Sequence, residues 1–226
     1  ADLLEVGQTL TIPAPQPGPP GSSFKIIPDS ELVYGPRTAG FDIFEFVKSR
    51  NGYLAAYREA IDGERMGGAA IVQRVAQDFS VNPRLLLAVL EYQSGWLTRT
   101  NPAAERLDYP MGVPESWRKG LYQQLAWAAN MLNRGYYLWR VDGVGAWVLA
   151  DGSVVSINPT INAGSAAVQG LFATLYDRAG WDAAVSESGV FKIFFEQFGY
   201  PFDYAVEPVL PLVLAQPVMQ LPIEPG

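Results

Sequence analysis

Asn82 and Pro83 open the run Arg84-Leu85-Leu86-Leu87-Ala88-Val89-Leu90-Glu91-Tyr92-Gln93, in which apolar residues fall almost all the way round a helical wheel. Asparagine before proline supplies a side-chain N-cap and a first-turn residue whose missing N–H has no helical partner to lose, and Gly95 marks the stop. A helix without a polar face must be enclosed by other elements. The run therefore predicts a buried central helix and a helical domain wrapped around it.

Its neighbours fit that frame. In Gly68 to Phe79, Ile71, Val75 and Phe79 form an i, i+4, i+8 row, with Val72 beside them. A polar loop, Thr98 to Val113, with Pro102 and Pro110, leads to a third helix, about Glu115 to Trp139, carrying Leu121, Leu125, Ala128 and Leu132 on one face. Two more helices are predicted at about Gly164 to Arg178 and Val190 to Phe198, the second stopped by Gly199 and Pro201. The single hairpin signal is Ala146 to Ala150, then Asp151-Gly152 for a type I′ turn, then Ser153 to Ile157. The expected fold class is mainly α with one small β-hairpin.

The flanks read differently. Pro13 to Ser23 holds five prolines and two glycines and no charge, which favours extended linker backbone. Glu207 to Gly226 contains five prolines and no basic residue, as expected of a connector to a further domain. Four segments are expected: an extended arm over 1–13, a linker over 14–36, the helical domain over 37–205 and a Pro-rich connector over 206–226. The start lacks a basic region followed by an apolar one, so a targeting segment is expected to be absent or removed.

Composition limits the chemistry. The chain has 226 residues with no His and no Cys. That excludes imidazole bases, Ser-His and Cys-His nucleophiles and disulfides, and leaves a metal site nothing but oxygen ligands. Neither a metal nor a cofactor is expected, and any catalysis would rest on carboxylates. A net charge of −7 with no basic run interleaved with aromatics argues against nucleic acid. No uninterrupted apolar window reaches membrane-spanning length, since Glu207 and four prolines break the stretch from Tyr204 to Ile223.

Two segments resemble known families. Leu3 to Pro13, LLEVGQTLTIP, resembles the closing third of a LysM repeat, a module that binds N-acetylglucosamine-containing glycans. Val75 to Trp96 resembles the heart of the lysozyme-like, soluble lytic transglycosylase superfamily. There a helix, a short turn and a buried helix ending in a catalytic glutamate, a serine and a glycine follow one another. Here Phe79-Ser80-Val81-Asn82-Pro83 matches the turn and Ala88 to Trp96 the second helix, while Pro110 to Trp139 looks like the groove loop and its helix. The resemblance implies a lysozyme-like helical domain of a modular, secreted or envelope-attached bacterial cell-wall protein, with peptidoglycan as partner. Modular proteins of this kind often place such units before a zinc-dependent endopeptidase, for which this chain has no ligands.

At the position where that family has its catalytic glutamate, this chain has Gln93. Glycosidic cleavage needs a carboxylic acid to protonate the leaving oxygen, and an amide has no proton to give. Glu91 lies two residues away, roughly 200° around the helix, so it points elsewhere unless the register changes. Glu105, Asp108 and Glu115 in the covering loop are further carboxylates, though the base rate for surface acids favours reading them as solvated loop charges. Glu91 and Glu105 are the candidate catalytic groups, and Gln93, Ser94, Trp96 and Tyr109 the candidate substrate-binding residues, the two aromatics as stacking surfaces for sugar rings. The reading these features favour is an extracellular peptidoglycan-binding or positioning domain without the usual catalytic glutamate; the alternatives are an active glycosidase or transglycosylase with a displaced acid, and a non-catalytic interaction or assembly domain.

Overall fold

The structure, a computed structural model, describes residues 19–35, 38 and 40–205. The LysM-like segment and the Pro-rich connector after Ala205 lie outside the described residues. Nine helices, α1 Ile43–Arg50, α2 Tyr53–Ala56, α3 Gly68–Asp78, α4 Pro83–Ser94, α5 Glu105–Asp108, α6 Leu121–Arg140, α7 Ala163–Ala173, α8 Arg178–Ala184 and α9 Lys192–Phe198, form the described part with two antiparallel hairpins. The hairpins are β1 Arg58–Ile61 with β2 Glu64–Gly67, and β3 Ala146–Val148 with β4 Val154–Ser156. The fold is mainly α, as expected, with two hairpins in place of one.

Helix α4 is central. Leu85 to Leu90 are all fully buried, Asn82 accepts from the Arg84 N–H at 2.9 Å as the N-cap, and Gly95 takes the left-handed conformation that closes the C-terminus. A second enclosed helix is α7, in which every residue is buried. Small residues let it approach its neighbours: a Cβ on Gly135 of α6 would stand 2.9 Å from the Ala167 Cα, and one on Gly170 would stand 2.9 Å from the Trp147 ring. At van der Waals contact those positions accept nothing larger than glycine.

The linker expected over 14–36 ends earlier than its composition suggests. Ile26 and Ile27 are fully buried, as is Leu32, and the segment seals the start of α7. There the Ile26 N–H donates to Ser165 Oγ at 2.7 Å, while Asp29 Oδ1 accepts from the Asn162 side chain at 2.7 Å and the Gly164 N–H at 2.8 Å. A carboxylate at a helix N-terminus meets both the free N–H groups and the helix dipole. The domain therefore begins well before residue 37, because an apolar pair after a Pro-rich stretch is held by long-range contacts that composition does not reveal.

Helix α6 starts at Leu121, later than the predicted 115. Gly120 has φ 97°, which breaks the helix, and Glu59 of β1 accepts from the Tyr122 N–H at 3.2 Å at the new N-terminus. Four helices are not anticipated by the sequence reading, the short α2 and α5 and the side-chain-capped α1 and α8. Asp42 caps α1 through the Glu45 N–H at 2.9 Å, and Asp177 caps α8 through the Gly180 N–H at 2.9 Å.

Candidate functional site

The end of α4 is where the lysozyme-like resemblance places its chemistry. Gln93 is 7 % exposed, and its Oε1 accepts a hydrogen bond from the Tyr176 hydroxyl at 2.8 Å. Its Nε2 is buried and has no hydrogen-bond partner among the described residues. The Tyr176 ring stacks on Phe172 at 5.9 Å, and Phe172 meets the edge of Tyr92 at 5.3 Å. Burial pushes the Tyr176 hydroxyl above the usual phenol range, opposed by the charge of Arg106. Burial also raises Tyr92. Gln93 is thus buried, with its carbonyl oxygen engaged by a neutral phenol.

The remaining candidates are drawn away from Gln93. Glu91 accepts from the Leu97 N–H at 2.8 Å, the Thr98 N–H at 3.2 Å and the Thr98 hydroxyl, so its carboxylate organises the turn after α4. Ser94 is buried and donates to the Leu90 carbonyl at 2.8 Å, one turn back. Trp96, expected as a stacking surface for sugar, is fully buried between Tyr53 at 4.7 Å and Tyr57 at 4.8 Å. The αL residue Gly95 reverses the chain and turns the indole into the core, which sequence position alone does not disclose. Burial, reinforced by the Glu59 charge, raises the Tyr57 hydroxyl strongly.

Glu105 is exposed at the start of the short helix α5, and Tyr109 is half-buried at its end. The other loop carboxylates are engaged in surface ion pairs, Asp108 with Lys119 at 2.8 Å and Glu115 with Arg118 at 2.6 Å. The loop presents one large aromatic to solvent. Trp117 is 64 % exposed, with the Arg118 guanidinium 3.8 Å over its ring.

One organising residue was missed. Gln124 is fully buried in α6; its Oε1 accepts from the Met111 N–H at 3.1 Å and its Nε2 donates to the Val113 and Arg118 carbonyls at 2.8 and 2.9 Å. A single amide thereby ties Met111, Val113 and Arg118 of the covering loop to α6. The signal was present, because Gln124 lies beside the apolar row that includes Leu121, Leu125 and Ala128, where a polar residue must find buried partners.

Among the described residues no group of three potential ligands could hold a metal, and no helix is long and apolar enough to cross a membrane. Among the described residues the side-chain partner of Gln93 is the Tyr176 hydroxyl, with no carboxylate bonded to it. No curated protein and no solved structure matches the chain. The family model described as "LasA, N-terminal domain" matches residues 25–209, which takes in the early buried segment and all nine helices, and the chain belongs to that family.

Proposed function

We propose that this chain is a non-catalytic domain of a modular, secreted bacterial cell-wall protein, acting by interaction and assembly: it holds and positions a catalytic domain encoded elsewhere in the same polypeptide. The observation that carries this reading is the buried Gln93–Tyr176 pair: at the position where the lysozyme-like resemblance implies a catalytic acid, an amide is engaged by a phenol, and an amide cannot serve as the general acid. The family description supports it, since an N-terminal domain is by its name one part of a longer protein.

The exposed Trp117 favours a second reading, a peptidoglycan-binding or positioning domain, because an open indole face backed by a cation is a surface on which a pyranose ring can rest. One experiment separates the two and tests the absence of catalysis. Purified cell walls are mixed with the wild-type chain, Trp117→Ala and Glu105→Gln, and turbidity and co-sedimentation are followed. The interaction reading expects no clearing and no retention. Retention lost in Trp117→Ala would establish the glycan reading, and clearing lost in Glu105→Gln would overturn both.

A further inference from the structure

Helices α6 and α7 and strand β3 enclose a cavity of about 190 Å³. Gly135 and Gly170 line it, so no side chain from either position fills the space. Met131, Leu138, Val144 and Val148 give it apolar walls. Val148 is 64 % exposed, and Arg134 and Thr174 are exposed beside it, which puts the mouth of the cavity at the surface.

Two donors on the lining are unspent. Trp147 is 9 % exposed, yet its buried Nε1 has no hydrogen-bond partner among the described residues. A buried indole N–H usually finds one, and an orphaned donor costs about 1–3 kcal/mol. Trp181, packed on the same helix, shows the ordinary outcome: its Nε1 donates to the Gln169 carbonyl at 2.9 Å. In Trp147 the ring atoms Cη2 and Cζ2 meet Gly170, and Nε1 lies on the Cζ2 side of the indole, so the N–H edge borders the cavity. The second donor is Arg134, whose side chain makes no ion pair or hydrogen bond among the described residues. No Asp or Glu occurs in α6, β3 or α7, and Asp142, in the turn between α6 and β3, neither lines the cavity nor pairs with Arg134. At the end of α7 the Leu171 carbonyl accepts from the Thr174 hydroxyl at 2.7 Å and the Phe172 carbonyl from the Leu175 and Tyr176 N–H groups at 3.1 Å, so the negative end of that helix is engaged by its own turn. In a chain of net charge −7 the lining is locally positive and free of carboxylates.

We propose that this cavity binds a small carboxylate, its oxygens accepting from the Trp147 indole N–H and the Arg134 guanidinium and its short apolar tail filling the space between α6 and α7. An ionised carboxylate accepts hydrogen bonds and donates none, which matches two free donors, and apolar walls match a hydrocarbon tail. The volume sets the size. At about 30 Å³ for each water-sized group, roughly six fit, which is a carboxylate carrying three or four carbons. A free branched-chain acid has this chemistry, and so does the end of a peptide whose last residue is apolar. The site is built apart from Gln93 and Trp117, so the inference goes beyond the proposed function and stands whether or not that function does.

Isovalerate, the peptide acetyl-Gly-Val with a free carboxylate, and neutral isovaleramide can each be titrated into the isotope-labelled chain at low salt. The six tryptophan indole N–H signals are followed by NMR, that of Trp147 being identified by its loss in Trp147→Phe. The expected result is a saturable shift of the Trp147 signal with at least one carboxylate, and binding about tenfold weaker for the amide and in Arg134→Gln. Arg134 is exposed, so its replacement should spare the fold, which the other five indole signals check. Tighter binding of isovalerate supports a free acid as ligand, and tighter binding of the peptide supports a chain end. No saturable shift with either carboxylate, or equal affinity for acid and amide, or affinity unchanged in Arg134→Gln, overturns the inference.

Discussion

The two ends of α4 bury polar groups in opposite ways. At the N-terminal end Glu31, 1 % exposed, accepts from the Asn82 side chain at 2.8 Å and faces the Arg84 guanidinium at 3.7 Å. The guanidinium in turn lies against Phe41 at 5.0 Å and Tyr204 at 4.9 Å. At the C-terminal end a neutral amide meets a neutral phenol, Gln93 and Tyr176. The chain therefore tolerates a carboxylate in its interior where a cation and a hydrogen-bond donor accompany it. Beside Gln93 the partner is the Tyr176 hydroxyl, a single neutral donor for a carboxylate placed there. What looks like the loss of an acid is a site built for a neutral group.

The harshest way to break this contrast is to remove the cation from the charged end. Arg84→Met should cost about 1–3 kcal/mol, because it removes the ion pair at 3.7 Å that Arg84 makes with the buried Glu31. Urea unfolding at neutral pH measures it, and a cost below about 1 kcal/mol would show that the carboxylate does not depend on Arg84. Next comes the converse experiment, charging the neutral end. Gln93→Glu places a carboxyl group in a 7 % exposed position, where desolvation should raise its pKa above the unfolded value near 4.3. The folded state then holds its proton longer than the unfolded state, so stability is retained below about pH 4 and lost as pH rises, amounting to about 2 kcal/mol at pH 7. Unfolding at pH 4 and pH 7 gives the comparison; equal costs at both would mean the site already solvates charge. Cell-wall clearing should stay at background in this variant, since the cover of Tyr176, Phe172 and Tyr92 remains.

Smaller effects sharpen the same picture. Glu91→Gln should cost about 1 kcal/mol by weakening the hydrogen bonds to Leu97 and Thr98, with no change in any activity on walls. Tyr176→Phe removes a single neutral hydrogen bond and should cost at most about 1 kcal/mol near neutral pH. Its sharper signature lies at high pH. Buried Tyr176 and Tyr92 keep their protons in the folded state, whereas unfolded tyrosines ionise near pH 10, so wild-type stability should fall as pH rises past that value. In Tyr176→Phe the fall should be shallower, and an unchanged slope would assign the effect to other tyrosines.

How much of the fold is legible in the sequence is clearest in two of its three Asp-Gly pairs. Asp151-Gly152 predicts a type I′ turn between apolar strands, and the hairpin forms. Only Gly152 takes positive φ, however, and with Leu149 accepting from the Gly152 N–H at 2.9 Å the loop has the longer form, a type I turn followed by a left-handed glycine. Asp62-Gly63, which went unread, is the true two-residue case: both residues have positive φ, 52° and 84°, and Ile61 pairs with Glu64 across it. Its strands, Arg-Glu-Ala-Ile and Glu-Arg-Met-Gly, lack the β-branched alternation that advertises a hairpin. They are stabilised by what packs beside them, as when Glu59 caps α6.

The sequence by itself determined helices α3 and α4 almost to the residue, a mainly helical fold, the lack of imidazole and thiol chemistry, and an amide at position 93. These depend on near neighbours, on caps and on residue identity, all of which are local. Only the tertiary structure decided that Gln93 is covered by Tyr176, 83 residues away, that Asn82 holds a buried Glu31 from 51 residues before it, and that Trp96 points inward. A polar or aromatic side chain has several ways to be satisfied, and the one realised depends on which distant elements the folded backbone brings against it.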